Sequence, residues 1–270
     1  YKLKDSLMMT KRAVAMTLVE KDTLYIHGKK LIVTGKPENR VVRAFNNVRF
    51  FKIDMSGKCD SLHSDEKTGI TKLIKNPVMW NFDNQMTGDI MHLISNKETE
   101  KLDSLKVLNN TFIASKDTIG TGYNQVKGLN LYGKFRDNKL YEVDVIKNTE
   151  VIYYMRNDLQ ELIGINKSKS SSINMILDEN QIETITFIKQ IEGEIYPEAE
   201  LPENARKLKG FIWRGDERIK TKDDIFPPEE NEYEQKMIEE KKAEDEKENL
   251  PMEVRKETLE EQKAEKKKDS

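Results

Sequence analysis

Four times between residues 46 and 154 an Asn stands just before a β-branched or aromatic run: "NNVRF" (46–50), "KNPVMW" (75–80), "NNTFIA" (109–114) and "KNTEVIYY" (147–154). Gly28, Gly57, Gly88, Gly128 and Gly164 punctuate the same stretch. Between the two markers lie "DEKTG" (65–69), "FRDNK" (135–139) and "LDENQ" (177–181), which hold the Asp, Asn and Gly that tight hairpin turns prefer. Any β protein places Gly and Asn at turns, but recurrence in one order with hairpins in the same place is a drifting structural repeat. Each unit reads as about three short strands that bury little alone and must stack to share an interior.

From about Thr23 to Phe187 the chain is a succession of Val-, Ile-, Tyr- and Phe-rich runs. No stretch before Pro227 carries an apolar stripe at helical spacing over ten residues or more, so the body reads all-β. Apolar residues alternate along its strands: Leu129, Leu131 and Phe135; Tyr141, Val143 and Val145; Val151, Tyr153 and Met155; Ile173, Met175 and Leu177; then Ile185 and Phe187. Facing one side, they line an elongated apolar interior, which is either an ordinary sandwich core or a trough suited to acyl chains. Open sheet edges at each end are places where a partner can add strands.

Residues 1–188 form this repeat, and 189–226 break it. Pro197 and Pro202 point to an extended segment, with Leu208, Phe211, Ile212 and Trp213 expected to dock as a lid on the last hairpin. In 227–270 the charge concentrates: Glu229 to Ser270 holds 16 acidic and 10 basic residues, leaving the rest of the chain at +4 and this part at −6. With so little to bury, it is expected to be a mobile tail or a solvent-exposed helix.

Several function classes fall away. A body at +4 has no Lys/Arg run interleaved with aromatics, which sets nucleic acid aside. No stretch approaches the ~18 apolar residues of a membrane span. Nothing at Tyr1 resembles a signal peptide, and in a chain that starts without Met this carries no information. Cys59 is the single cysteine, so no intramolecular disulfide forms. His27, His63 and His92 are isolated, with no metal-ligand spacing. "GKKLIVTGKP" (28–37) fails Walker A spacing, "GTGYNQ" (120–125) lacks the third dinucleotide-loop Gly, and no G-x-S-x-G occurs. A hydrolytic β-solenoid would need carboxylates in register on one face; Asp144 and Asp178 are the nearest approach, and no such set is in register. The chain reads as non-catalytic, with no cofactor or metal.

"VRFFKIDMSGKCDSL" (48–62), "TGDIMHL" (87–93), "LDSLKVLNNTFIASKD" (102–117), "YNQVKGLNLYGKFRDNKLYEVDVIKNTEVIYY" (123–154), the run from Leu162 to Ile188 and "LKGFIWRGDERIKTKDDIF" (208–226) together resemble the OstA-like family of organic solvent tolerance N-terminal type, in the version found in Bacteroides-like bacteria. The order of elements carries the resemblance rather than any single motif. It implies an open, twisted β-jellyroll in the periplasm, which shields the lipid A acyl chains of lipopolysaccharide on the way to the outer membrane. It also implies end-to-end strand pairing with related jellyroll domains of inner- and outer-membrane transport proteins, or with further copies of itself. On this reading the lipid-facing residues are Leu129, Leu131, Phe135, Val143, Val145, Val151, Tyr153, Ile173, Met175, Ile185 and Phe187, and Lys127, Lys134 and Lys147 stand near the rim to meet lipid phosphates. The alternative is a structural or adaptor β-repeat with a core filled by its own side chains, binding envelope proteins through its edges. Five D-[ST]-[LI] triplets, at Asp5, Asp22, Asp60, Asp103 and Asp117, resemble O-glycosylation acceptors of that phylum, and equally fit Asp and Ser/Thr starting strands after turns. The charged tail after Phe226 departs from the shorter family members.

Overall fold

The computed structural model describes residues 2–248 apart from 4, 20, 21, 37, 38, 100, 118, 179 and 180. It divides into two units, Tyr1–Ile225 and Phe226–Ser270. The second contains α1 (Pro228–Glu248), a helix with polar residues on every side. The remainder of the charged tail, 249–270, lies outside the described residues.

The first unit is all-β and jellyroll-like. Its first eight strands are β1 (Lys2–Leu3), β2 (Ser6–Thr10), β3 (Val14–Val19), β4 (Asp22–His27), β5 (Lys30–Thr34), β6 (Val41–Lys52), β7 (Met55–Asp65) and β8 (Ile70–Ile74). The remaining nine are β9 (Val78–Asn81), β10 (Asn84–Thr87), β11 (Ile90–Ser95), β12 (Leu102–Lys116), β13 (Tyr123–Arg136), β14 (Lys139–Arg156), β15 (Leu162–Asp178), β16 (Gln181–Ile188) and β17 (Glu192–Tyr196). Several strands run far beyond the expected short units, β14 over 18 residues and β15 over 17.

The pairing shows why. β6 pairs with β5 through its first half and with β4 through its second; β7 pairs with β9 through its first half and β8 through its second, and β12 with β11 and then β10. Each long strand therefore belongs to two half-sheets folded on one another. Layer I runs β1, β2, β5, β6, β7, β8, β11, β12, β13, β14, β15, β16, and layer II runs β3, β4, β6, β7, β9, β10, β12, β13, β14, β15, β17. Among the described residues β3 pairs only with β4, and β16 and β17 each only with β15, so the sheet edges at both ends are open.

The Asn markers make the fold between the layers. Asn46 and Asn47 (φ 62° and 54°), Lys75 and Asn76 (67° and 53°), Asn109 and Asn110 (57° and 50°), Lys147 and Asn148 (65° and 52°) and Lys189 and Gln190 (58° and 49°) are successive left-handed pairs. In three of them the register shows two residues opposing one: Asn46 and Asn47 face Asp60, Asn109 and Asn110 face Leu129, and Lys147 and Asn148 face Ser171. The opposing residue closes the corner from its backbone N–H, as Asp60 does to the Lys75 carbonyl (3.1 Å) and Ser171 to that of Lys189 (2.9 Å). Asn tolerates this backbone where most residues do not, which is why the motif repeats. Stacked bulges form a seam that turns every strand the same way. Gly88 and Gly128 sit beside it because a Cβ there would strike Cγ1 of Val107 and of Val145. Gly57 and Gly164 lie elsewhere, the first under the Phe50 ring and the second against Ile195, so the glycine repeat is only partly a seam signal. At the opposite margin, Asp137 and Asn138 (φ 49° and 61°) make the two-residue hairpin between β13 and β14.

Asn148→Val should cost about 1–2 kcal/mol, because a branched side chain resists the left-handed region, while Asn148→Gly should be close to neutral. Urea unfolding of the two variants checks the pair.

Candidate functional site

One cluster of buried apolar side chains occupies the space between the layers, running from Ile26 and Leu31 at one end to Ile173, Met175 and Leu177 at the other. Leu131, Val143, Val145 and Val151 are fully buried there, and Phe135 lines it too. Tyr153, Ile185 and Phe187 pack against it half-buried. Burial raises the Tyr153 phenol above its ordinary value, with the Asp117 carboxylate adding to the effect.

Leu129 does not join them. It is 37 % exposed at the seam, opposite Lys147 and Asn148. The reason lies in the corner. β6, β12 and β14 carry the two-residue bulge and keep one parity facing inward throughout, as in Val42, Ala44, Val48 and Phe50. β7 and β13 contribute one residue at the corner, so their inward parity flips: Val126 points in below it and Leu131 above. Extrapolating two residues back from Leu131 lands on the seam, and Val126 is the residue that belongs. On β15 the flip brings the polar residues Ser168 and Ser170 to buried positions, and Thr149 Oγ1 donates to the Ser170 carbonyl at 2.8 Å.

The N-terminal half of the interior, including Phe50, Leu62, Leu73, Met79, Met86, Met91 and Leu93, was not among the expected lining residues. Its signal was the same alternation, in "VVRAFNNVRF", broken by short strands that hide the period.

The margin opposite the seam is a mouth, where the free turns of the two layers face each other. Two clefts open there. One of about 580 Å3 lies among Leu24, Ile26, Val42, Glu66, Lys67 and Lys97, and one of about 510 Å3 among Phe82, Lys116, Asp117, Tyr153, Arg156 and Ile182. Behind them lie two small voids, one of about 60 Å3 between Lys52, Asp54, Leu73, Leu93 and Asn138 and one of about 20 Å3 between Met86, Val126, Val143 and Met175. Lys52, 7 % exposed, is held at that inner void by both Asp54 oxygens at 2.8 Å.

The lysines expected at the rim are elsewhere. Lys127 pairs with Glu150 (2.7 Å) on the outside of layer II, Lys134 with Glu142 (2.7 Å) on the outside of layer I, and Lys147 is in the seam. The Lys134–Glu142 contact raises the ammonium pKa and lowers that of the carboxylate.

Residues 197–225 do not close the last hairpin. They form a strap running back across the outside of layer II, opposite to the direction in which the strands were laid down. Lys167 donates to the Ala205 carbonyl (3.0 Å) on β15, and Arg49 to that of Asp224 (3.3 Å) on β6. Between them two buried amides hold the strap in the same way. Gln125 Nε2 donates to the Arg206 carbonyl while its Oε1 accepts from the Leu208 N–H, both at 2.8 Å. Gln85 repeats this with Ile212 (2.8 Å) and Arg214 (2.6 Å). Under the strap a second cluster joins Phe112, Ala114, Ile152, Tyr154 and Ile165 to Leu201 and Leu208. Phe211 and Trp213 pack on it, both rings against Tyr123, whereas Ile212 is 67 % exposed. Farther along, Glu217 takes salt bridges from Lys58 and Arg214, and chiefly the Arg214 contact brings its pKa down to about 2.

No protein-family model matches the chain, and no curated protein matches it. Among solved structures it is similar to LptH of Pseudomonas aeruginosa, described as the LptA-homologous periplasmic component of the conserved lipopolysaccharide transport device. The TM-score is 0.42, with 15 % identity over 53 % of this chain and 95 % of that one.

Proposed function

We propose that the chain is an OstA-like, non-catalytic bridge protein of the periplasm that holds the acyl chains of lipopolysaccharide between its two layers. The observation that carries this reading is the one-sided hinge. A continuous aliphatic interior from Ile26 to Leu177 lies between layers that are covalently joined at every rung along the seam and only packed together at the mouth. Acyl chains entering from the mouth would replace side chain–side chain contacts with contacts of the same kind, at about 0.8 kcal/mol per buried methylene. Leu131, Phe135, Val143, Val145, Val151, Tyr153, Ile173, Met175, Ile185 and Phe187 would then face lipid. The open edges of β3, β16 and β17 suit strand addition from related jellyroll domains or from further copies of the chain.

A second reading, an adaptor with a closed core, is favoured by one observation: voids of about 60 and 20 Å3 are well below the ~150 Å3 that admits a benzene-sized guest. The first reading therefore requires the mouth to open. The two are separated by a photo-crosslinking amino acid at Leu131 and at Val143 in a lipopolysaccharide-producing cell. Lipopolysaccharide adducts at both positions are expected, and native mass spectrometry should show the bound lipid. Asp54→Cys with Asn138→Cys, which line one void on opposite margins of the mouth, joined by a short bis-maleimide should abolish those adducts. Cys59 will not compete, since burial pushes its thiol up to about 12. A compact monomer with no adducts at either position establishes the adaptor.

A further inference from the structure

Among the described residues the strap's hydrogen bonds fall on layer II, and the middle of layer I's outer face carries a run of cations. In the pairing register Arg43 on β6 is directly opposite His63 on β7, His63 opposite Lys72 on β8, Lys72 opposite His92 on β11, and His92 opposite Lys106 on β12. At about 4.8 Å between strands the row is about 19 Å long. No carboxylate interrupts it, and its character changes only on the following strands, at Tyr132 and then Asp144.

Aliphatic rows flank it on both sides. Toward the mouth the flank is the pair Ile70 and Ile94, with Asp65 opposite Ile70 and Ser104 opposite Ile94 at its ends, and toward the seam Ile74, Ile90 and Leu108 lie in line. All are partly exposed, Ile74 to 39 %. Like charges aligned across strands destabilise a sheet, so nothing in folding calls for this row. Among the described residues neither Lys72 nor Lys106 has an anionic partner, and Arg43 donates to Thr34 Oγ1 at 3.3 Å. The nearby carboxylates lie outside the row: Asp65 is two residues from His63 along β7, Asp60 pairs with Lys75 (3.7 Å), and Asp89 accepts from Asn110 (3.1 Å).

We propose that this face docks on the surface of an anionic phospholipid bilayer, with Arg43, Lys72 and Lys106 at the lipid phosphates and the flanking isoleucines seated among the headgroups. Cations alone would suit any polyanion. Aliphatic rows on both sides fit a surface that is charged outside and apolar just beneath, whereas a nucleic acid or an acidic protein segment would leave them wet.

Acidification strengthens the docking. Burial, then Arg43 and Lys72, hold His63 below the usual imidazole range against the opposing pull of Asp65, and burial, Lys72 and Lys106 do the same for His92. Both rings are therefore neutral at pH 7, and their protonation takes the row from three positive charges to five.

The test is co-sedimentation of the full chain with phosphatidylglycerol-containing vesicles and with pure phosphatidylcholine vesicles, at neutral pH and in steps downward through and below the usual imidazole range. The vesicles contain no lipopolysaccharide, so the result is independent of the interior. Binding to the anionic vesicles alone is expected, lost in about 1 M salt and stronger in acid. At about fivefold per cation near the surface, K72Q/K106Q should lower partitioning about 25-fold. H63Q/H92Q should retain neutral-pH binding and lose the acid enhancement. Equal binding to neutral vesicles, no binding to either at low salt, or full binding by K72Q/K106Q overturns the proposal.

Discussion

A chain ended after Tyr196 should fail to give a soluble monomer, while one ended after Ile225, at the boundary of the first unit, should melt within a few degrees of the full chain. The difference is the strap. Alternation places Phe112, Ile152, Tyr154 and Ile165 on the outside of layer II, and each is buried because Leu201, Leu208 and their neighbours lie over it. Val78 and Trp80 face the same way, on either side of the inward Met79, with Trp80 directly opposite the strap-holding Gln85. Returning a large apolar side chain to water costs about 1.5–3 kcal/mol. Four of them therefore cost an amount comparable with the ~5–15 kcal/mol that holds a whole domain together. The bare face would also be a flat apolar patch of the kind that drives association. Gln85→Ala with Gln125→Ala should show the graded version, since each substitution leaves a strap carbonyl and N–H without its amide partner, at about 1–3 kcal/mol per site. Soluble yield and thermal melts of the three variants decide it; a melting point for the Tyr196 truncation close to that of the full chain would sink the claim.

The strap also marks where sequence reasoning stopped. Hairpins and the all-β class followed from local chemistry: Asp137-Asn138 turns where two left-handed residues are needed, and no helical stripe competes. The Asn repeat was visible as a period, but a left-handed pair that bends a strand and a turn that ends one call for the same residues, so long strands were read as short ones. Leu129 was misplaced for the same reason, because parity flips at a corner that the sequence marks only on the partner strand. Layer II leaves a clearer trace in the sequence. "VMW" (78–80) and "VIYY" (151–154) are continuous apolar runs rather than alternating ones, the pattern of strands covered on both faces. Gln85 and Gln125 left none, since a polar residue at an outward position looks solvated until the strap is in place. Nor could the order of strands reveal a cationic row made of single residues from five of them.

Asp117→Asn should be the most damaging single change at the mouth, at about 3 kcal/mol. Arg156 grips Asp117 with two bonds, Nε to Oδ1 at 3.1 Å and Nη2 to Oδ2 at 2.6 Å, while its Nη1 donates to the Gln160 carbonyl at 2.7 Å. The Asp117 N–H in turn donates to the Gly122 carbonyl at 3.0 Å. One ion pair thus ties the turn after β12 to the turn after β14. The Asp117 side chain is 5 % exposed and that of Arg156 16 %, so removing the anion strands a largely buried cation, typically a loss of about 3–5 kcal/mol, with the partial exposure of Arg156 favouring the low end. Burial alone would raise the Asp117 pKa; the Arg156 hydrogen bonds and charge, with backbone N–H donors at Ile119 and Gly120, outweigh it and leave the value depressed. A depressed carboxylate stabilises above its unfolded pKa and stops doing so as pH falls through the folded one. The wild type's advantage over Asp117→Asn in urea should therefore hold from neutral pH down to the ordinary carboxylate range and disappear below it. Because Asp117 and Arg156 line the 510 Å3 cleft with Tyr153, the same substitution loosens one margin of the mouth. If acyl chains enter there, lipopolysaccharide crosslinking at Val143 should rise while stability falls, a pair of opposite signs that a closed-core adaptor does not produce.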